Sequence, residues 1–178
     1  MNRVVFALLL AFLLGSCAQE EPQIPLDQDI YFTMQQLEAG STITRTYLLD
    51  DEGYLFKLDK GDPFMGWEIS DDTLFWASAA LQADLALDHE LIDSVSLEDL
   101  RDWVSRIPPN EGVAINRAII PCCGLPIVDY VAWVYEPEED RYRSIMLGTS
   151  LGEQTMYREH RTRQGRKLMQ DLMDHITI

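Results

Sequence analysis

Residues 127–149, IVDYVAWVYEPEEDRYRSIMLGT, decide the fold of this chain. Apolar and aromatic side chains dominate residues 127–135 and recur over residues 142–149, and the acidic segment 136–140 separates the two runs. Branched and aromatic residues favour strands, whereas a short charged segment between two such runs favours a turn. Together with the apolar run 113–120 upstream, the stretch predicts three consecutive antiparallel strands.

The register of these strands is predicted by keeping the apolar residues on one face. Val113 is then opposite Trp133 in the first hairpin. In the second hairpin Trp133 is opposite Ile145, and Val131 is opposite Leu147. Because directly opposite residues share a face, this pairing predicts a continuous hydrophobic face.

The same register leaves one polar row on that face, in which Asp129 is opposite both Arg117 and Thr149. A charge on an apolar sheet face is costly unless it is paired, so we predict that the three residues are neighbours and that Arg117 and Asp129 form an ion pair. Two interpretations stay open. The row is either a structural ion pair near the sheet edge, or an anion or ligand site under the loop 121–126.

The rest of the chain predicts helices and a second hairpin. Apolar residues at helical spacing predict a helix after Asp29, and residues 44–58 predict a hairpin with Gly53 in the turn. Residues 71–92 fit either helix or strand, residues 97–107 predict an amphipathic helix, and an apolar stripe over residues 168–176 predicts a final helix. We therefore expect an α+β fold, a mostly antiparallel sheet of about four or five strands covered by helices that include the C-terminal one.

The N-terminus resembles the signal peptide of bacterial lipoproteins. Arg3 precedes an apolar run over residues 4–14 that is too short to cross about 30 Å of hydrocarbon as a mature helix. The run ends in Leu-Gly-Ser-Cys at residues 14–17, which resembles the lipobox of that class.

The resemblance implies that residues 1–16 are removed and that Cys17, acylated, becomes the first residue of the mature protein. In this class an Asp after the cysteine marks retention in the inner membrane. The residue here is Ala18, which implies sorting to the outer membrane, facing the periplasm. Residues 17–26 then form the lipidated cysteine and a tether, and residues 27–178 form a single α+β domain.

Charge is unevenly distributed along the chain, whose net charge is −16. Residues 17–99 hold 19 acidic and 3 basic side chains, whereas residues 100–178 hold 11 and 10. So acidic a protein repels nucleic acid, and no nucleic-acid-binding motif is present, so we expect no nucleic-acid partner.

Five basic residues form a cluster at the start of the final helix. They are Arg158, Arg161, Arg163, Arg166 and Lys167. Cations are unfavourable at a helix N-terminus, so we expect the cluster either to pair with the acidic first half of the chain or to contact anionic lipid or an acidic partner.

Cys122 and Cys123 are adjacent in the chain. A disulfide between neighbours is strained because Cα atoms across a trans peptide are about 3.8 Å apart, and such a bond is easily reduced. The alternatives are a redox-active disulfide, inert thiols, or an intermolecular bridge or metal site.

No catalytic set is recognisable in the sequence, and the three histidines do not have metal-ligand spacing. We expect no cofactor and no metal, and the sequence favours a non-enzymatic role over an enzymatic one. The sequence predicts a lipid-anchored envelope protein that acts as a binding or accessory module, bound to the membrane through its anchor and to a possible envelope protein partner. The alternative is a redox or metal-handling protein that uses Cys122 and Cys123, and a third option is a cell-wall enzyme that uses loop carboxylates.

Overall fold

The computed structural model describes residues 30–38, 42–58, 67–70, 73–86, 89–108, 112–115, 126–152 and 155–176. Within these ranges the chain forms ten strands and three helices. The strands are β1 (Ile30–Glu38), β2 (Thr42–Leu49), β3 (Tyr54–Leu58), β4 (Trp67–Ser70), β5 (Thr73–Ala77), β6 (Glu90–Ser94), β7 (Val113–Ile115), β8 (Ile127–Glu136), β9 (Arg141–Leu151) and β10 (Thr155–His160). The helices are α1 (Ser78–Leu85), α2 (Leu97–Ser105) and α3 (Arg163–His175).

All of the described strands belong to one sheet, and every pairing is antiparallel. The main path runs β4-β5-β9-β8-β1-β2-β3-β6, while β10 pairs with the C-terminal part of β9 and β7 pairs with β10. The predicted fold, an α+β arrangement with four or five strands, is therefore wrong. The molecule is mostly sheet, and the described sheet has ten strands.

The largest difference between the sequence prediction and the structure is at β1, for which the sequence predicts a helix. This segment is a central strand that pairs with β2 on one side and β8 on the other. Ile30, Phe32 and Met34 are buried on one face, and Tyr31 and Thr33 are buried on the other. A strand buried on both faces carries apolar residues at many spacings, so helical spacing also fits it.

Two core clusters cover the two faces of the sheet. On the first, which we call the α3 face, β1, β8 and β9 pack against Leu100 and Trp103 of α2 and Leu168 and Leu172 of α3. On the second, which we call the tryptophan face, the cluster comprises Tyr31, Leu48, Leu58, Trp76, Leu81 of α1, Val131, Trp133 and Tyr142. No helix in the described ranges is long and apolar enough to cross a bilayer.

Several predicted elements are confirmed. Strands β2 and β3 form the expected hairpin, in which Gly53 has φ +86°. Helix α2 begins where expected, and Ser96 Oγ accepts a hydrogen bond from Asp99 N at 3.1 Å. Helix α3 is the expected C-terminal helix. The ambiguous residues 71–92 contain both kinds of structure, namely β5, α1 and the start of β6.

The predicted register is right for part of the β8–β9 hairpin and wrong elsewhere. A bulge in β9 shifts the pairing by one residue, so that Val131 is opposite Met146 and Trp133 is opposite Ser144. The shift places Leu147 in the core of the α3 face. The predicted pairing of Val113 with Trp133 is also wrong, because β7 pairs with β10 and Val113 is opposite His160.

Candidate functional site

Asp129 and Thr149 face each other on neighbouring central strands. Asp129 lies on β8 in alternation with Val131 and Trp133, which places it on the tryptophan face. Thr149 of β9 is directly opposite, and its hydroxyl donates a hydrogen bond to Asp129 Oδ1 at 2.6 Å. Thr149 is buried. The structure therefore brings together these two of the three residues predicted to form the row.

The row continues in both directions across the sheet. Gln35 of β1 is opposite Asp129, and Thr46 of β2 is opposite Gln35. On the other side Arg158 of β10 is opposite Thr149. Because opposite residues share a face, five polar side chains cross five strands in one line. We call Thr46, Gln35, Asp129, Thr149 and Arg158 the polar row.

Arg117, the predicted ion-pair partner of Asp129, lies outside the described residues. Its expected position depended on a hairpin between β7 and β8, which is wrong, since β7 ends at Ile115 opposite Arg158. Arg158, which the sequence assigned only to the basic cluster, occupies the end of the polar row instead.

The carboxyl group of Asp129 is incompletely compensated. Burial raises the pKa of this carboxyl, and the hydrogen bond from Thr149 and the charge of Arg158 only partly oppose that effect. Arg158 is exposed and therefore strongly hydrated. The chain thus keeps a desolvated acid at the centre of the polar row without a close salt bridge to it in the described residues.

Two other polar atoms of the row are buried without hydrogen-bond partners among the described residues. They are Gln35 Nε2 and Thr46 Oγ1. Only 6% of Gln35 and 3% of Thr46 is exposed. An unsatisfied buried polar group lowers the free energy of unfolding by about 1–3 kcal/mol. This half of the row is therefore unfavourable in a sheet whose role is only structural.

Apolar and satisfied groups lie next to the row on the same face. Thr33 is opposite Leu48 and Val131, one step along the strands from Gln35. Its Oγ1 accepts a hydrogen bond from Trp133 Nε1 at 2.8 Å. Trp133 and Trp76 are each 1% exposed and pack edge to face, so both fill the core and neither offers an open stacking surface.

Comparison of the chain with protein-family models, with curated proteins and with solved structures finds no match. The features that bear on function are therefore the polar row and the surfaces around it.

The basic cluster is at the surface, apart from Arg166. Arg161, Arg163 and Lys167 are exposed. Arg166 Nη1 donates to the backbone oxygens of His160 and Arg161, at 3.1 and 2.8 Å. In the described ranges no member of the cluster forms an ion pair with the acidic first half of the chain. The expectation that the cluster pairs with the acidic first half of the chain therefore has no support in these ranges.

The three cysteines, Cys17, Cys122 and Cys123, lie outside the described residues. The strand that precedes Cys122 and Cys123, β7, ends at Ile115, opposite Arg158 of the polar row. The strand that follows them, β8, begins at Ile127. The described residues include no group of three or more His, Cys, Asp or Glu placed to hold a metal ion. The redox interpretation of the pair stays a prediction.

Sequence reasoning missed Gln35 and Thr46, although a signal for Gln35 exists. Thr33 and Gln35 alternate with Phe32 and Met34, which is the period of a strand with one apolar face. The helical spacing of residues 30, 34 and 37 obscured that alternation. No comparable signal marks Thr46, because its position in the row depends on the pairing of β1 with β2.

Proposed function

We propose that this chain is a lipoprotein of the bacterial envelope, anchored through acylated Cys17, whose sheet domain binds a small polar ligand at the polar row. The observation that supports the proposal is a pair of buried atoms without hydrogen-bond partners in the described residues, Gln35 Nε2 and Thr46 Oγ1, in the same row as the desolvated carboxyl of Asp129. The proposed location at the membrane rests on the resemblance of residues 14–17 to a lipobox.

A binding role explains the polar row better than a structural one. Apolar residues of similar shape at Gln35 and Thr46 would extend the hydrophobic surface formed by Leu48 and Val131 and would avoid the cost of unsatisfied groups. A ligand that supplies the missing hydrogen bonds recovers that cost on binding. In small-molecule sites a few polar groups of this kind orient the ligand.

The hydrogen-bonding capacity of the row points to the ligand class. An ionised Asp129 only accepts hydrogen bonds, while Gln35 Nε2 and Arg158 only donate them. A hydroxyl group does both, and with strands about 4.8 Å apart one hydroxyl oxygen reaches side chains on two of them. Asp129 disfavours an anion and Arg158 disfavours a cation. We therefore propose a neutral molecule with several hydroxyl groups, such as a polyol or a carbohydrate.

Titration of the full-length protein with glycerol, glucose and N-acetylglucosamine tests this proposal, with calorimetry and NMR shifts as readouts. We expect saturable binding of at least one probe, weakened about tenfold, or 1.4 kcal/mol, by Gln35→Leu. The matched control is Gln36→Leu, which changes the same residue type on the opposite face of β1.

An ordered water has the same hydrogen-bonding capacity as a hydroxyl group. If none of the three probes saturates, or if the two glutamine variants weaken binding equally, the row holds only water and the binding proposal is wrong.

The anchor has its own test. Cys17→Ser should abolish incorporation of labelled palmitate and move the protein from the membrane fraction to the soluble fraction. Because Cys17 is not one of the residues of the polar row, the same variant should bind the probes as the parent protein does. Unchanged fractionation and unchanged palmitate incorporation would refute the anchor and leave the ligand proposal intact.

The redox alternative is tested by the oxidation state of Cys122 and Cys123. Intact-mass measurement after thiol alkylation, on protein isolated without reductant, counts the free thiols. A disulfide between the two leaves both unlabelled until reductant is added. Full labelling of both cysteines at the outset excludes a redox-active disulfide.

A further inference from the structure

Strand β6 (Glu90–Ser94) is the last strand on one side of the sheet. It pairs with β3, and no other described strand pairs with it. All five of its side chains are exposed. An edge strand presents unpaired backbone N–H and C=O groups that another extended segment can pair with.

This edge also carries most of the exposed large apolar side chains in the described part of the chain. Tyr54, Leu91, Ile92 and Leu97 are 42%, 56%, 41% and 50% exposed, and Ile115 on the distant β7 is the fifth of this group. Tyr54 is paired with Ser94, so its ring lies beside β6. We call Tyr54, Leu91, Ile92 and Leu97 the β6 patch. Clustered apolar groups on an exposed edge are a feature of interaction surfaces.

The charges around the β6 patch select the kind of partner. Glu90 and Asp93 belong to β6, and Glu98 follows in the first turn of α2, while β6 itself has no basic residue. Lys57 pairs with Glu90 at 3.1 Å, whereas Asp93 and Glu98 form no ion pair with another described residue. Pairing of β6 with a second copy of itself would put the acidic residues of both copies on one ladder, which is unfavourable.

We propose that β6 binds an extended segment of a partner protein in which basic and apolar residues alternate, by addition of a strand to the sheet edge. Backbone hydrogen bonds to β6 supply the affinity, the apolar residues of the segment cover Leu91 and Ile92, and its cations meet Asp93 and Glu98. The surface is separate from the polar row, so the two proposals stand or fall independently.

The probe for this proposal is a short fluorescent peptide of alternating lysine and valine, titrated against the full-length protein by anisotropy. We expect saturable binding that weakens as salt is added, and slowed hydrogen exchange at the amides of β6 in the complex. Leu91→Lys should weaken binding about tenfold through lost apolar contact and charge repulsion. The matched control is Ile115→Lys, at an equally exposed isoleucine of β7, which should leave binding unchanged.

A second variant keeps the test independent of apolar contact. Asp93→Lys should weaken binding of the lysine peptide and strengthen binding of its glutamate counterpart. Each of four results would overturn the proposal: no binding of the lysine peptide, equal binding of the two peptides, no protection at β6, or a dimer of the protein that Leu91→Lys dissociates. The last result would assign the edge to a second copy of the chain.

Discussion

Thr33 and Gln35 lie two residues apart on β1 and on the same face, but only one of them is satisfied. Thr33 Oγ1 accepts from Trp133 Nε1, whereas Gln35 Nε2 has no partner among the described residues. We therefore expect opposite effects on the free energy of unfolding. Gln35→Leu should stabilise the ligand-free protein by about 1 kcal/mol, and Thr33→Val should destabilise it by about 1–3 kcal/mol.

Urea denaturation of the parent protein and both variants, without ligand, measures this contrast. Gln36→Leu again serves as the control for glutamine loss on the opposite face. A destabilised Gln35→Leu variant would mean that the amide is already satisfied, which removes the main observation behind the proposed ligand site.

The burial of Asp129 determines how the free energy of unfolding depends on pH. Because burial raises its pKa above 3.8, the folded protein keeps this proton over a pH range in which the unfolded chain has released it. The stability contributed by the protonated carboxyl is fully present below pH 3.8 and is lost as pH rises through the folded-state pKa.

Asp129→Asn should remove this dependence. Asn keeps an oxygen that can accept from Thr149, and it stays neutral at every pH. The variant should therefore be more stable than the parent at neutral pH, and the advantage should shrink to nothing as pH falls towards 3.8. Denaturation curves over a pH series measure the difference in stability between the variant and the parent. The pKa of Asp50 is also raised, but its titration cancels in this difference because both proteins contain it. A difference that does not change with pH would contradict the raised pKa.

At the scale of single elements, the close packing of α3 and β10 on β9 depends on Gly148. A Cβ atom at this position would overlap the Sδ atom of Met169 in α3 and lie 2.6 Å from the backbone oxygen of Arg158. Gly148→Ala should therefore destabilise the protein by about 1–3 kcal/mol through forced displacement of β10 or α3.

Gly112→Ala is the control for Gly148→Ala, because Gly112 has φ +74° but nothing within 4 Å of an added Cβ. It reports backbone strain without steric overlap. Thermal unfolding of both variants, and of Gly148→Ala combined with Met169→Ala, measures the steric part. Because Met169→Ala alone leaves a cavity, the double variant should lose less stability than the two single variants together. A Gly148→Ala variant as stable as the parent would refute the close packing of α3 on β9.

The elements predicted correctly are those with strong local signals. The hairpin of β2 and β3 has an acidic, glycine-containing turn, and α2 has a Ser96 cap before an amphipathic run. Long-range pairing was not predictable in the same way. The position of β1 between β2 and β8, and the pairing of β7 with β10, depend on contacts between distant segments that leave no local pattern.

The candidate site was predictable only where it lies within one hairpin. The opposition of Asp129 and Thr149 follows from the β8–β9 pairing, whereas Gln35 and Arg158 enter the row through strands remote in the chain. At the scale of the whole molecule, the sheet therefore assembles a polar row that no single segment contains.

At the scale of the whole molecule, exposed acidic and basic side chains lie in different parts of the sheet domain. The β6 patch lies among acidic residues, whereas Arg161, Arg163 and Lys167 are exposed at the start of α3. If the protein is held at a bilayer by Cys17, these cations are available to anionic headgroups, each contributing about 1 kcal/mol near the surface. They form no ion pair within the described residues, so reversing their charge breaks no salt bridge among those residues.

Arg163→Glu combined with Lys167→Glu should therefore weaken binding to vesicles of phosphatidylglycerol and phosphatidylethanolamine without lowering the melting temperature. Anions near a helix N-terminus are favourable by about 0.3–1 kcal/mol each, so a small rise in stability is expected. Arg101→Glu, at an exposed arginine of α2, is the matched control. Flotation assays at low and physiological salt measure binding, which should fall with salt in the parent protein. A lower melting temperature with unchanged vesicle binding would instead show that the cations pair with acidic segments of the protein itself.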